Sequence, residues 1–114
     1  MNNERLYPEA SRELSQKRNA LVPEISDTFR AFSKAVFKEG ALDEKTKQLI
    51  AIAVAHVTQC PYCIRSHTKT AVRKGATQQE IMEAVWVAAE MRAGAAISHS
   101  NLALNEMDSS ENEG

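Results

Sequence analysis

The chain has 114 residues, with 14 Lys and Arg against 15 Asp and Glu, for a formal net charge of −1. That length suits one domain of the usual roughly 100–200 residues. A charge this near zero, with a pI of about 6.3, lacks the basic footprint of a nucleic-acid binder or of attachment to an anionic membrane. Only 5% of the residues are aromatic, so the core must come mainly from Ala, Val, Ile and Leu.

Two cysteines are too few for a disulfide-stapled secreted scaffold. The opening residues, Met1-Asn2-Asn3-Glu4-Arg5, are polar and do not read as a signal peptide. The longest near-apolar run, Leu49 to Val57, is interrupted by His56 and falls far short of the ~20 residues of a membrane span. The expected setting is cytoplasmic, where paired cysteines serve redox chemistry or metal binding more often than structural bridging.

Periodicity reads as helix nearly throughout, and no Asn-Gly or Asp-Gly joins two alternating runs. A first polar helix is expected over Glu9 to Asn19. Pro23 marks the first turn of a second, whose apolar stripe is Ile25, Phe29, Phe32 and Val36, and Gly40 ends it. Asp43 caps a third helix reaching about Thr58, and its half from Leu49 to Ala55, apolar on every side, predicts burial all round. A fourth helix starts at Cys60-Pro61 and ends at Gly75, with Arg73 and Lys74 in its last turn. Thr77-Gln78-Gln79-Glu80 is a capping box opening a fifth, striped by Ile81, Ala84, Val85, Ala88 and Met91. Gly94 separates a sixth segment, Ala95 to about Asn105, and the acidic end 106–114 reads as a mobile tail. The expectation is an all-α protein of about six helices, with one domain over 1–105 and a tail over 106–114.

Cys60-Pro61-Tyr62-Cys63 at a helix start carries the most specific chemistry. Unpaired N–H groups and the positive end of the helix dipole favour a thiolate there. Two cysteines one turn apart can also close a reversible disulfide. At about 100° per residue, Cys60, Cys63 and His67 share roughly a 60° arc. Cys63 and His67 form an i, i+4 pair, which gives a thiol nucleophile a nearby base. On the preceding helix Glu44, Gln48, Ile52 and His56 form one row. If that row faces the cysteines, Gln48 or Glu44 orients His67, while His99 on the last helix stays unplaced.

Other readings of these residues stand beside this one. The cysteines can be packing residues. Cys60, Cys63 and His67 with His56 or His99 can bind structural zinc, although such sites usually draw ligands from loops and two separate knuckles. His56 and His99 also fit hydrogen-bonded structural roles, Gln48 and Glu44 a solvated helix face, and Trp86 and Met91 a core or subunit interface. Cys-Pro-Tyr-Cys also occurs in glutaredoxins, but a thioredoxin-like fold needs a strand directly before the motif, and here a helical run precedes it.

The chain resembles the AhpD-like alkylhydroperoxidase branch of the carboxymuconolactone decarboxylase family. The likeness rests on the segment Leu42 to Ala51, on Cys60 to His67, on Lys74-Gly75-Ala76-Thr77 with Glu80-Ile81, and on the Ala-rich helix ending Arg92-Ala93-Gly94-Ala95. It covers roughly Glu24 to Leu104. The resemblance implies an all-α fold assembling as a homotrimer or homohexamer, and a thiol peroxidase or disulfide reductase. It implies Cys63 as the peroxide-attacking thiolate, Cys60 as the resolving thiol and His67 as the proton relay. No cofactor is implied beyond the redox-active disulfide, which an external dithiol such as a dihydrolipoyl protein reduces, with a peroxiredoxin as a further partner. The substrate expected is a small peroxide or disulfide. The family pattern places a glutamate twelve residues before the first cysteine, where this chain has Gln48. An amide cannot accept that proton, so Glu44 and His56 are candidate replacements. A metal-binding or redox-sensing module and a lactone decarboxylase are the alternatives from other classes.

Overall fold

A computed structural model describes residues 6–113. Among them are five α-helices and no strand: α1 (Arg12–Leu21), α2 (Pro23–Phe37), α3 (Glu44–Thr58), α4 (Pro61–Arg73) and α5 (Gln78–Glu113). The chain falls into two compact units that divide between Ala41 and Leu42.

In the first unit α1 packs on α2. Helix α1 starts at Arg12, three residues later than the sequence suggests, because Ser11 caps it and accepts the Leu14 N–H at 3.1 Å. Pro23 takes the first turn of α2, where its missing N–H costs nothing. The apolar stripe of α2 is exposed, with Ile25, Phe29 and Phe32 each about two-thirds open to solvent. Phe29 and Phe32 meet in a tilted ring pair with centroids 6.4 Å apart.

In the second unit α3 packs on both α4 and α5. Asp43 caps α3 through the Thr46 N–H at 2.7 Å. Thr77 and Glu80 exchange the two bonds of a capping box at the start of α5, at 2.9 and 3.1 Å. The other carboxylate oxygen of Glu80 meets Lys45 of α3 at 2.9 Å, so one side chain both caps α5 and ties it to α3. The core is small: Ile52, Ala71 and Ala76, packed with Leu49, Ile81 and Val85. Alanine at the α3–α4 contact lets the two helices lie close. Burying an isoleucine such as Ile52 contributes about 1.5–3 kcal/mol.

Three expectations are corrected here. The fifth and sixth helices are one, because α5 runs through Gly94 to Glu113, 36 residues and about 54 Å at 1.5 Å per residue. A glycine inside a helix costs only about 1 kcal/mol relative to alanine, and the alanines and leucines around it outweigh that. The acidic segment read as a mobile tail over 106–114 is helical as far as Glu113, with residues 106–112 exposed. No proline or glycine occurs in 106–113. Helix α3, finally, is not buried all round: Ile50, Val54 and Val57, spaced four and three apart, stay 40–52% exposed on the face away from Ile52.

Candidate active site

Helix α3 hands the chain directly to α4. Gln59 adopts the left-handed conformation (φ 57°, ψ 50°), and its N–H and that of Cys60 both bond the Ala55 carbonyl. This is a Schellman-type ending, and it satisfies the Ala55 carbonyl while reversing the chain. Cys60 thereby becomes the N-cap of α4, with Pro61 in the first turn. Its Sγ accepts the Cys63 N–H at 3.2 Å. The sulfur thus sits among backbone donors at the positive end of a helix, the setting that favours thiolate over thiol.

Cys60 and Cys63 are joined in a disulfide with Cα atoms 5.2 Å apart. Both residues are half-buried. His67 follows Cys63 by one helical turn on the same face. Its Nδ1 donates to Oε1 of Gln48 at 2.7 Å, across the α3–α4 contact. Gln48 is buried, with 6% of its surface exposed, and His67 is half-buried. Burial pushes the His67 pKa below the ordinary 6.5, because the charged imidazolium is the form that loses hydration.

The two helices run antiparallel in a regular register. Ala55 meets Cys60 through the backbone, and seven residues further along each helix Gln48 meets His67. Beyond them Glu44 of α3 pairs with Lys74 at the end of α4, at 2.6 Å. Seven residues is close to two helical turns, so these positions fall on one facing stripe of each helix. The row from Glu44 to Ile52 therefore does face the cysteine-bearing side of α4.

The other candidate relay residues have hydrogen-bond or ion-pair partners of their own, or lie exposed. Glu44 pairs with Lys74. His56 turns back onto its own helix, its Nδ1 donating to the Ile52 carbonyl at 2.7 Å. His99 lies on the exposed stretch of α5. Among the described residues, no group of three His, Cys, Asp or Glu side chains has the arrangement to hold a metal ion. No helix among them is long and apolar enough to cross a membrane. Arg92 of α5, to which the sequence assigns no role, donates from Nη1 to the Val57 carbonyl at 2.6 Å, beside the turn that positions Cys60.

Comparison with known proteins places this geometry. The chain is 60% identical over 101 residues to uncharacterized protein 4 in cox locus of Paracoccus denitrificans, covering 89% of this chain and 90% of that one. Among solved structures it is similar to a carboxymuconolactone decarboxylase family protein of Legionella pneumophila, at 40% identity and TM-score 0.67 over 69% of this chain and 70% of that one. It is also similar to a Thermotoga maritima member for which involvement in an antioxidative response has been suggested. That match has 32% identity and TM-score 0.58, covering 80% of this chain and 97% of the other. A shorter stretch of 57 residues is 30% identical to alkyl hydroperoxide reductase AhpD of Corynebacterium kroppenstedtii, half of this chain and 33% of that one. Residues 23–106 match the carboxymuconolactone decarboxylase family, a span that contains both cysteines, His67 and Gln48. The chain belongs to the carboxymuconolactone decarboxylase family.

Proposed function

We propose that this protein is a thiol-dependent peroxidase or disulfide reductase that cycles between the Cys60/Cys63 dithiol and disulfide. One observation carries the reading: the cysteine pair sits at the N-terminus of α4 and is closed as a disulfide, with His67 one turn away on the same face. The AhpD similarity and the antioxidative association of the Thermotoga maritima relative support it.

In the peroxidase cycle the Cys63 thiolate attacks one peroxide oxygen. An S–O bond forms, the O–O bond breaks, and the alkoxide leaves as an alcohol after taking a proton. Imidazole, having accepted the thiol proton, is the group placed to return it. Cys60 then attacks the Cys63 sulfenic acid, the S–S bond forms and hydroxide leaves as water. The sum is one peroxide and two thiols converted to one alcohol, one water and one disulfide. An external dithiol, such as a dihydrolipoyl group, reduces the disulfide through a mixed disulfide and is itself oxidised to a cyclic disulfide. A peroxiredoxin disulfide is a second acceptor for the same two electrons.

The working form we propose is a cytoplasmic homotrimer or homohexamer. The open stripes of α2 (Ile25, Phe29, Phe32) and α3 (Ile50, Val54, Val57) support assembly, since apolar stripes of this extent favour coverage.

Free thiols counted before and after one equivalent of cumene hydroperoxide test the reading. Two thiols lost per chain are expected, with the alcohol as product. A Cys63→Ser variant that consumes peroxide as fast as the parent protein would overturn the assignment.

A further inference from the structure

The amide of Gln48 occupies the one place where it decides which nitrogen of His67 carries the proton. A carbonyl oxygen only accepts, so at 2.7 Å from Oε1 the Nδ1 of His67 must be the donor. In a neutral ring the lone pair then belongs to Nε2. We propose that Gln48 is a positioning residue that fixes His67 as the Nδ1–H tautomer and makes it a neutral base toward the thiol pair. This deepens the proposed thiol chemistry and rests on it for its catalytic meaning, though not for its test.

Three observations converge on that role. Gln48 is the buried polar side chain of α3, and its neighbours on the facing stripe are the apolar Ile52 and Ala55, so its amide is directed at α4 rather than at solvent. The register of the two helices holds the pair in place from both ends, by the Ala55–Cys60 backbone bond on one side and the Glu44–Lys74 ion pair on the other. An amide also brings no charge to Nδ1. A carboxylate in its place would stabilise imidazolium and, through it, a standing thiolate. With an amide the imidazolium gains no such support, and burial of His67 works in the same direction.

Charged groups on the helices around the pair have partners of their own. Glu44 and Lys74 neutralise each other one rung away. His56 is bonded within α3, and Lys45 is engaged with Glu80 on the α5 side. Arg73 of α4 donates to Thr70, and Lys47 of α3 and Tyr62 of α4 each have an interaction as well.

Two readouts that need no peroxide test the proposal on the reduced protein, its Gln48→Glu isostere and Gln48→Leu, with circular dichroism confirming the helices. Long-range 1H–15N NMR of the His67 ring reports the tautomer. Iodoacetamide alkylation followed against pH, read by mass spectrometry at Cys60 and Cys63 separately, reports thiolate. The expected wild-type ring is protonated on Nδ1 at neutral pH. Gln48→Glu should hold the ring doubly protonated to higher pH and move the alkylation midpoint down by about one pH unit or more. Gln48→Leu should release the ring to the Nε2–H form. A wild-type ring found as Nε2–H, or one alkylation profile shared by parent and Gln48→Glu, overturns the proposal. Where the NMR result holds and no thiol is lost to peroxide, the peroxidase reading fails and this inference stands.

Discussion

Arg92, fifteen residues into α5, donates from Nη1 to the carbonyl of Val57 in the last turn of α3, at 2.6 Å. A cation there satisfies a carbonyl that the helix cannot bond itself and sits at the negative end of the dipole. It also pins α5 next to the Gln59 turn from which Cys60 starts. Arg92→Ala should lower stability by about 0.5–1 kcal/mol, a fall in melting temperature of a few degrees. Arg92→Lys, which keeps the charge but loses the planar fork, should recover part of it. Thermal melts of the three proteins by circular dichroism check this, and equal melting temperatures would deny Arg92 that role.

Glu44 lies one turn before Gln48 and its sequence position makes it a natural stand-in for a missing acid, yet its carboxylate faces Lys74. Both side chains remain more than a third exposed, so solvent screens the pair and it is worth no more than about 1 kcal/mol. Glu44→Gln should therefore cost little stability and leave the pH profile of thiol alkylation where it is. Denaturant titration and the iodoacetamide assay decide it. A profile displaced as far as that of Gln48→Glu would show Glu44 acting on His67 after all.

The contrast between Glu44 and Gln48 shows which parts of the molecule were legible beforehand. Asp43, Pro23, Cys60-Pro61 and the Thr77–Glu80 box act within three residues of themselves, so their caps and first turns follow from the sequence. The facing stripe of Cys60, Cys63 and His67 follows equally from helical period. Which α3 side chain reaches His67 depends on the register of two helices, set by the Gln59 turn, and no local signal marks a left-handed glutamine. Gly94 misled for a related reason: glycine ends a helix when the backbone needs a positive φ, as at Gly75 (φ 91°), and within a continuing helix it merely weakens it.

That glutamine offers a direct test of the turn. Left-handed backbone costs a side chain with Cβ about 1–2 kcal/mol, and Gln59 is exposed, so little is lost with its side chain. Gln59→Gly should remove the strain and, after the greater chain entropy of glycine in the unfolded state, stabilise by roughly 0.5–1 kcal/mol. The melting temperature should rise by a few degrees with the disulfide intact or reduced. A fall would mean that the turn is held by the Gln59 side chain rather than by its backbone bonds to Ala55.

The burial of His67 also makes stability depend on pH, with a definite sign. The folded ring has its pKa held below 6.5, the value it regains when the chain unfolds. As pH falls through about 6.5, the unfolded chain therefore takes up the proton first, and protonation favours unfolding. This ring should contribute a loss of stability that begins near 6.5 and levels off once the pH lies below its folded-state pKa. Urea midpoints measured between pH 7.5 and 5 should fall more steeply for the parent than for His67→Gln, which has no proton to bind. Gln48→Glu should flatten the slope too, and for the opposite reason: a carboxylate on Nδ1 raises the folded pKa toward or above the unfolded value. Parallel curves for the parent and His67→Gln would place the pH dependence elsewhere in the chain.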